Sequence, residues 1–236
     1  MISFVVPAHN EERLLEGTLR AIHFAARAVA ESYEVIVVDD ASTDGTAAVA
    51  HVNGARVIQV RFRQIARTRN AGARAASGTV LIFVDADTIV QPATVAASVA
   101  ALEAGAAGGG ATVYFDGVLP LWIRILLPVL RTGLRLGRMA AGCYVFCSRT
   151  AFDAVGGFDE RFYAAEEIAF SRALQRHGSV LTLRESVTSS SRKLCTHSAW
   201  DLLRLCGALL RHGTAVVRSR DHLSIWYGSR ARSGPS

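Results

Sequence analysis

The chain reads as an α/β protein, a mostly parallel sheet flanked by helices, with amphipathic helices toward the C-terminal end. Three observations predict it. The run Thr79-Val-Leu-Ile-Phe-Val84 is apolar without alternation, as a strand covered on both faces must be, and it ends in Asp85-Ala86-Asp87. Strand-like and helix-like stretches alternate through residues 1–104 with short connections, the pattern of repeated β-α units with right-handed crossovers. No G-x-G-x-x-G follows the first strand, which counts against a dinucleotide-binding Rossmann domain.

Taken in order, residues 2–7 form a strand, and residues 11–30 form a helix with apolar positions at Leu14, Leu15, Leu19, Ile22 and Ala26. Residues 34–39 are the second strand, 43–52 a short helix and 56–60 the third strand. An alanine-rich helix at 64–76 leads into the fourth strand at 79–85, and 91–103 is a further helix. The glycine-rich stretch 105–110 marks a change of character, with a strand after it at 111–115. Beyond lie strands at 142–148 and 179–183, a short helix at 150–155 ended by Gly156-Gly157, and a helix at 164–177 closed by Gly178. Ser198-x-x-Asp201 caps a last helix.

Residues 118–137, VLPLWIRILLPVLRTGLRLG, are too rich in arginine to cross a membrane cheaply. Arg124, Arg131, Arg135 and Arg138 fall in one narrow stripe of a helical wheel, and leucine, isoleucine, valine and tryptophan fill the rest. This predicts an amphipathic helix kinked at Pro128, which either covers the sheet or lies on an anionic membrane surface. The last helix repeats the device with Arg204, Arg211 and Arg218.

With 236 residues, half of them hydrophobic, the chain can build one large core, and only 229–236 read as a disordered tail. The net charge of +6 suits anionic lipid or phosphorylated small molecules. Basic and aromatic residues do not interleave as they do on single-strand binding surfaces, which argues against nucleic acid. The four cysteines lack C-x-x-C spacing and read as reduced, mostly buried thiols of a cytoplasmic protein. Cys143 and Cys147 are expected on one strand face, too far apart to bridge. The first residues do not read as a secretory signal.

Three acidic clusters fall at strand ends or a helix start: Asp39-Asp40, Asp85 with Asp87, and Glu166-Glu167. In a parallel sheet the first two share an edge and face the crevice where such sheets bind ligands. Paired carboxylates there are hard oxygen ligands suited to Mg²⁺ or Mn²⁺. Glu166-Glu167 reads either as ordinary capping of a helix or as a base held ionised by the helix dipole.

Together the stretches FVVPAHNEE (4–12), VIVVDDASTDGT (35–46), ARTRNAGARAASG (66–78), LIFVDADT (81–88) and VGGFDERFYAAEEIAFSRALQRHG (155–178) resemble family 2 glycosyltransferases, which have the GT-A fold. The resemblance implies sugar transfer from a nucleotide-diphosphate donor, usually with inversion and usually with Mg²⁺ or Mn²⁺. It implies that Pro7, Ala8 and Glu11 or Glu12 hold the nucleoside, that Asp40 with Asp39 beside it accepts a hydrogen bond from the base, and that Arg69 approaches the base or phosphates. Asp85 would contact ribose or metal, and Asp87 would bind the metal. The family most often has Glu-Asp at the base position; here Glu166-Glu167 stands there, with Glu167 expected as the base and Glu166 second. Arg192 and Lys193 are candidates to close over the diphosphate, and His197 for a third metal ligand. His9 is expected to wall the nucleotide pocket.

This reading divides the chain into a catalytic domain at 1–185, a C-terminal loop and amphipathic helix at 186–228, and the tail. Within the domain, 1–104 would bind the donor and 105–185 would supply the base and the acceptor site. The acceptor itself is unknown. A lipid-linked one would place the protein on the inner face of the membrane. A nucleotidyltransferase is disfavoured, because PAHNEE is neither glycine-rich nor basic. The alternative kept is a non-catalytic membrane-surface protein that retains the GT-A fold.

Overall fold

The computed structural model describes residues 1–192 apart from Ala30 and Val118, and all statements below concern those residues. In the first half, β1 (Ile2–Ala8), β2 (Tyr33–Asp40), β3 (Arg56–Val60) and β4 (Val80–Val84) alternate with α1 (Leu15–Ala28), α2 (Thr46–Val52) and α3 (Ile65–Ala75). Then come a two-residue strand β5 (Thr88–Ile89), α4 (Pro92–Glu103), β6 (Ala106–Phe115), α5 (Leu121–Leu136), β7 (Tyr144–Ser148), α6 (Arg149–Val155), α7 (Glu166–Leu174) and β8 (Ser179–Ser189). They build one sheet of eight strands in the order β3-β2-β1-β4-β7-β6-β8-β5.

Strands β3, β2, β1 and β4 are mutually parallel, so the loops after them open at one edge. β7 runs antiparallel between β4 and β6, while β6 and β8 pair in parallel. The apolar runs of β1, β2 and β4 are explained by two cores. Phe4, Val37 and Ile82 face α1 and α4 on one side; Val5, Val38 and Phe83 face α3, α6 and α7 on the other.

Several expectations need correction. The glycines at 105–110 are largely strand: a Cβ on Gly108 would run into the Phe146 carbonyl oxygen, and one on Gly109 would run into that of Leu181. Small residues let β6 lie tight between β7 and β8. β8 continues to Ser189, so the boundary expected at 185 cuts through a strand paired with β6 and β5. The first helix starts at Leu15, because Glu11 and Glu12 belong to the loop that leaves β1. Cys143 precedes β7 and packs against the core opposite to that of Cys147, so the two do not share a face. Pro128 does lie within α5. Lys193, His197, the last helix, Cys195, Cys206 and the tail lie outside the described residues.

Candidate active site

The loops leaving β1, β2 and β3 brace one another at the carboxyl edge of the sheet. Asn10 Oδ1 accepts from Thr43 N at 2.8 Å, Glu12 Oε2 accepts from Gly45 N at 2.7 Å, and Asp44 Oδ1 accepts from Thr46 N at 3.0 Å. Asn10, Ala41, Arg63 and Ala165 all have left-handed backbone, with φ between 51° and 59°. For residues with a Cβ this costs on the order of 1 kcal/mol each, and such strain gathers at functional edges. Three of the four follow β1, β2 and β3, and the fourth immediately precedes α7.

Asp39 and Asp40 are both buried, but alternation along β2 sends them to opposite faces of the sheet. Asp40 turns toward α3. It accepts from Phe62 N at 2.7 Å, Arg63 N at 2.8 Å, Gln64 N at 3.2 Å and Thr68 Oγ1 at 2.9 Å. Four donors occupy its two oxygens, so Asp40 shapes the turn into α3 and has little capacity left for a ligand. Asp39 receives the Ser42 N–H at 3.1 Å. His9 Nδ1 contacts the Asp40 carbonyl oxygen at 2.8 Å, and the Arg63 guanidinium meets its ring.

Arg69 is buried among the acidic candidates of the site. It is 1% exposed and faces the interior of the protein instead of the crevice. Nη1 donates to Glu166 Oε1 at 2.7 Å; Nη2 donates to Asp85 Oδ1 at 2.9 Å and to the Gly142 carbonyl at 2.6 Å. Its guanidinium also lies 5.3 Å from the Phe158 ring centroid. Burial alone would lower its pKa; the charges of Asp85 and Glu166 raise it above its ordinary value. The next residue completes the clamp. Asn70 donates to the Phe158 carbonyl and accepts the Phe158 N–H, both at 2.9 Å, while Gln64 Nε2 reaches the carbonyl of Phe162 at 3.2 Å. Helix α3 therefore holds the end of β4 and the loop before α7 in one frame. Gln64 and Asn70 were missed in the sequence, although Asn70 stands in the ARTRN stretch.

The two glutamates of α7 part company. Glu166 is buried and committed to Arg69. The carboxyl of Glu167 is half-buried beside Gly142, where a Cβ in place of the glycine hydrogen would lie 3.3 Å from Oε1. Burial, with the neighbouring Glu166 charge, pushes Glu167 up to about 8. Burial also raises Glu166, against the opposing pull of Arg69. Cys143 sits nearby; burial and the charges of Asp85 and Asp87 push its thiol upward, so it stays protonated.

Asp87 is 7% exposed, with Ser189 Oγ 3.4 Å from its Oδ1 and Ser190 N donating to its carbonyl at 3.1 Å. Asp85 is more open but already shared with Arg69. Among the described residues, no three His, Cys, Asp or Glu side chains gather into a ligand set. Asp87 with Asp85 fits a hard divalent cation that takes one or two carboxylates and fills its shell with phosphate and water oxygens. Across the crevice Arg192 donates to Glu11 Oε2 at 2.5 Å, which brings a nucleoside candidate against a phosphate candidate. Pro7 and Ala8 end β1 in register with Val38 and Asp39.

The model of glycosyl transferase family 2 matches residues 3–157, from β1 through α6. The chain belongs to glycosyl transferase family 2. Among curated family relatives, validoxylamine A glucosyltransferase of Streptomyces hygroscopicus subsp. jinggangensis is 37% identical over 113 residues, covering 45% of this chain and 26% of the relative. Undecaprenyl-phosphate 4-deoxy-4-formamido-L-arabinose transferase of Pseudomonas fluorescens is 33% identical over 112 residues, covering 44% of this chain and 33% of the relative. The matched stretch thus spans a third or less of these two relatives. Among solved structures, the mannosyltransferase PcManGT of Pyrobaculum calidifontis, in complex with GDP-Man and Mn²⁺, aligns with a TM-score of 0.67 at 22% identity over 96% of this chain and 68% of its own. S. aureus TarS 1-349, in complex with UDP-GlcNAc, aligns with a TM-score of 0.62 at 19% identity over 80% and 58%. These likenesses show the GT-A fold.

Proposed function

We propose that this family 2 protein transfers a sugar from a nucleotide-diphosphate donor to an acceptor hydroxyl by direct displacement, with inversion at the anomeric carbon. The observation that carries the reading is the Arg69 clamp. One buried cation ties Asp85, at the end of a parallel strand, to Glu166, at the start of α7, and leaves Glu167 beside them uncommitted to Arg69.

The roles follow from what each group already does. Pro7, Ala8 and Glu11 line the nucleoside end, and Asp39 takes the base contact because Asp40 is filled by its own turn. Glu12 is occupied at Gly45 and serves the loop. Arg192 stands where it can leave Glu11 for a donor phosphate. Asp87, with Asp85 second, is the site for Mg²⁺ or Mn²⁺, which when bound supplies charge stabilisation to the departing diphosphate.

Glu167 takes the proton of the acceptor hydroxyl as that oxygen bonds to the anomeric carbon. The bond from that carbon to the β-phosphate oxygen breaks, and its electron pair leaves with the nucleotide diphosphate. Only the ionised carboxyl can accept the proton, and burial tunes it toward the working pH. The acceptor enters on the side framed by α5, which suits a lipid-linked hydroxyl compound. Thermal-shift screening of UDP- and GDP-sugars with Mn²⁺ tests the donor half, since a ligand of the folded form raises its melting temperature. A donor that stabilises the protein and is consumed only with Glu167 intact supports the reading. The absence of any stabilising nucleotide sugar, with or without metal, would refute it.

A further inference from the structure

Helix α5 turns most of its apolar surface away from the protein. Ile123 is buried, and Leu127, Arg131 and Leu134 are half-buried beside it, so they mark the inward face. At about 100° per residue, Leu121, Ile125, Val129 and Leu136 fall together on the opposite face, where they are 70%, 67%, 68% and 81% exposed. Arg124, Arg135 and Arg138 are exposed along one flank. Arg131, in the same stripe, folds onto Tyr114, 4.4 Å from its ring centroid. No acidic residue occurs anywhere in 117–152.

Both ends of this helix are held by side-chain hydrogen bonds. Before it, Asp116 Oδ1 accepts from Ser191 N at 2.6 Å, next to the Ser189 and Ser190 contacts to Asp87. After it, Gln175 Nε2 holds the Gly137 and Arg138 carbonyls at 3.0 and 2.9 Å, and the chain runs on to Gly142 between Arg69 and Glu167. The chain that carries α5 is thus tied near Asp87 before the helix and reaches Gly142, beside Glu167, after it.

We infer that the outward face of α5 docks on an anionic bilayer, so that the acceptor is a lipid-linked hydroxyl compound presented from that surface; the acceptor part rests on the transfer reading above. Charge selects the occupant. Apolar side chains flanked by arginines, without acids, match the boundary between acyl chains and phosphate headgroups. A second copy would bring arginine rows together. Residues 193–236 are no better matched, with seven basic against two acidic residues.

The test is co-sedimentation of the full chain with vesicles of phosphatidylglycerol and phosphatidylcholine, or of phosphatidylcholine alone, at low and high salt. Binding should favour the anionic vesicles by at least about ten-fold and weaken with salt. It should be lost in Ile125→Glu with Val129→Glu, and fall by roughly five-fold per arginine in Arg124→Gln with Arg135→Gln. These positions are exposed, so both variants should keep the wild-type melting temperature and the nucleotide-sugar thermal shift. That shift separates failure of docking from failure of the transfer reading. Equal binding to neutral vesicles, no binding, or binding indifferent to the glutamates would overturn the proposal. So would a doubled mass that Ile125→Glu abolishes, or a cross-link from α5 to residues 193–236 that persists on vesicles.

Discussion

Arg69 and Glu166 stand 97 residues apart in the chain and meet at 2.7 Å in the interior. Because Arg69 also holds Asp85, this pair links the parallel-strand half of the fold to the helix that carries Glu167. Removing the cation would leave the buried Glu166 and the partly buried Asp85 without it, and breaking a buried pair from one side costs about 3–5 kcal/mol. Arg69→Ala is therefore expected to lower stability by that amount in urea denaturation. Arg69→Lys should recover only part, since an ammonium cannot fork between two carboxylates and a carbonyl. A fully stable Arg69→Ala protein would show that the clamp does not hold the halves together.

Glu167→Gln removes the proposed base and leaves its shape. Transfer should fall by about 10²–10⁴-fold while the donor thermal shift persists, because proton transfer and donor binding use different groups. Loss of donor binding together with transfer would move Glu167 out of the base role.

Activity and stability respond to pH in opposite directions through Glu167. Glu167 loses its proton at about 8 in the folded protein and near its ordinary value when unfolded. Its base form grows as pH rises, so kcat/KM should climb through about pH 8 and then level off. Stability runs the other way. Between the ordinary carboxyl pKa and about 8 the folded protein binds the extra proton, so it loses stability as pH rises. Glu167→Gln escapes that loss, and its melting temperature should gain on wild type from pH 5 to pH 8. A gap that stays constant across that range would contradict the burial of this carboxyl.

Much of the first half was legible because strands covered on both faces leave unbroken apolar runs, as in Phe4 to Val6 and Leu81 to Val84. The antiparallel entry of β7 was not, since strand direction leaves no trace in composition. β6 was half hidden because its glycines carry no strand propensity; their use lies in contacts with Phe146 and Leu181 that only the assembled sheet contains. At the site, motif spacing put the acids at one edge without saying which way each points. Asp40 and Arg69 looked like ligand groups in the sequence, and both turned inward to hold the scaffold. The departure from Glu-Asp at Glu166-Glu167 has a structural counterpart, in that the first glutamate serves Arg69 and the second lies beside Gly142.

The inward turn of Asp40 separates two neighbours that the sequence alone pairs. Asp40→Asn keeps the volume but puts an NH₂ against some of the four donors that now bond its oxygens, so it should destabilise the fold by about 1–3 kcal/mol. Asp39→Asn disturbs one bond from Ser42 and should leave the melting temperature near wild type while weakening donor affinity. Chemical denaturation and a nucleotide-sugar titration of both variants check this. The reverse pattern would return Asp40 to the nucleoside role.

Gly72 tests the seat of the Arg69-bearing helix itself. A Cβ there would overlap Val5 Cγ1 and lie 2.8 Å from Val38 Cγ2, both buried on the sheet face beneath α3. Neither valine can swing clear in a close-packed core, so the helix must lift. Gly72→Ala is expected to cost about 1–3 kcal/mol, even though alanine favours helix. Because Arg69 and Asn70 ride on the same turn, the lift should also loosen the loop at Phe158 and slow transfer more than it weakens donor binding. Denaturant midpoints read the first effect, and separate kcat and KM values read the second. A Gly72→Ala protein as stable and as active as wild type would mean that α3 does not depend on that close contact to place its clamp.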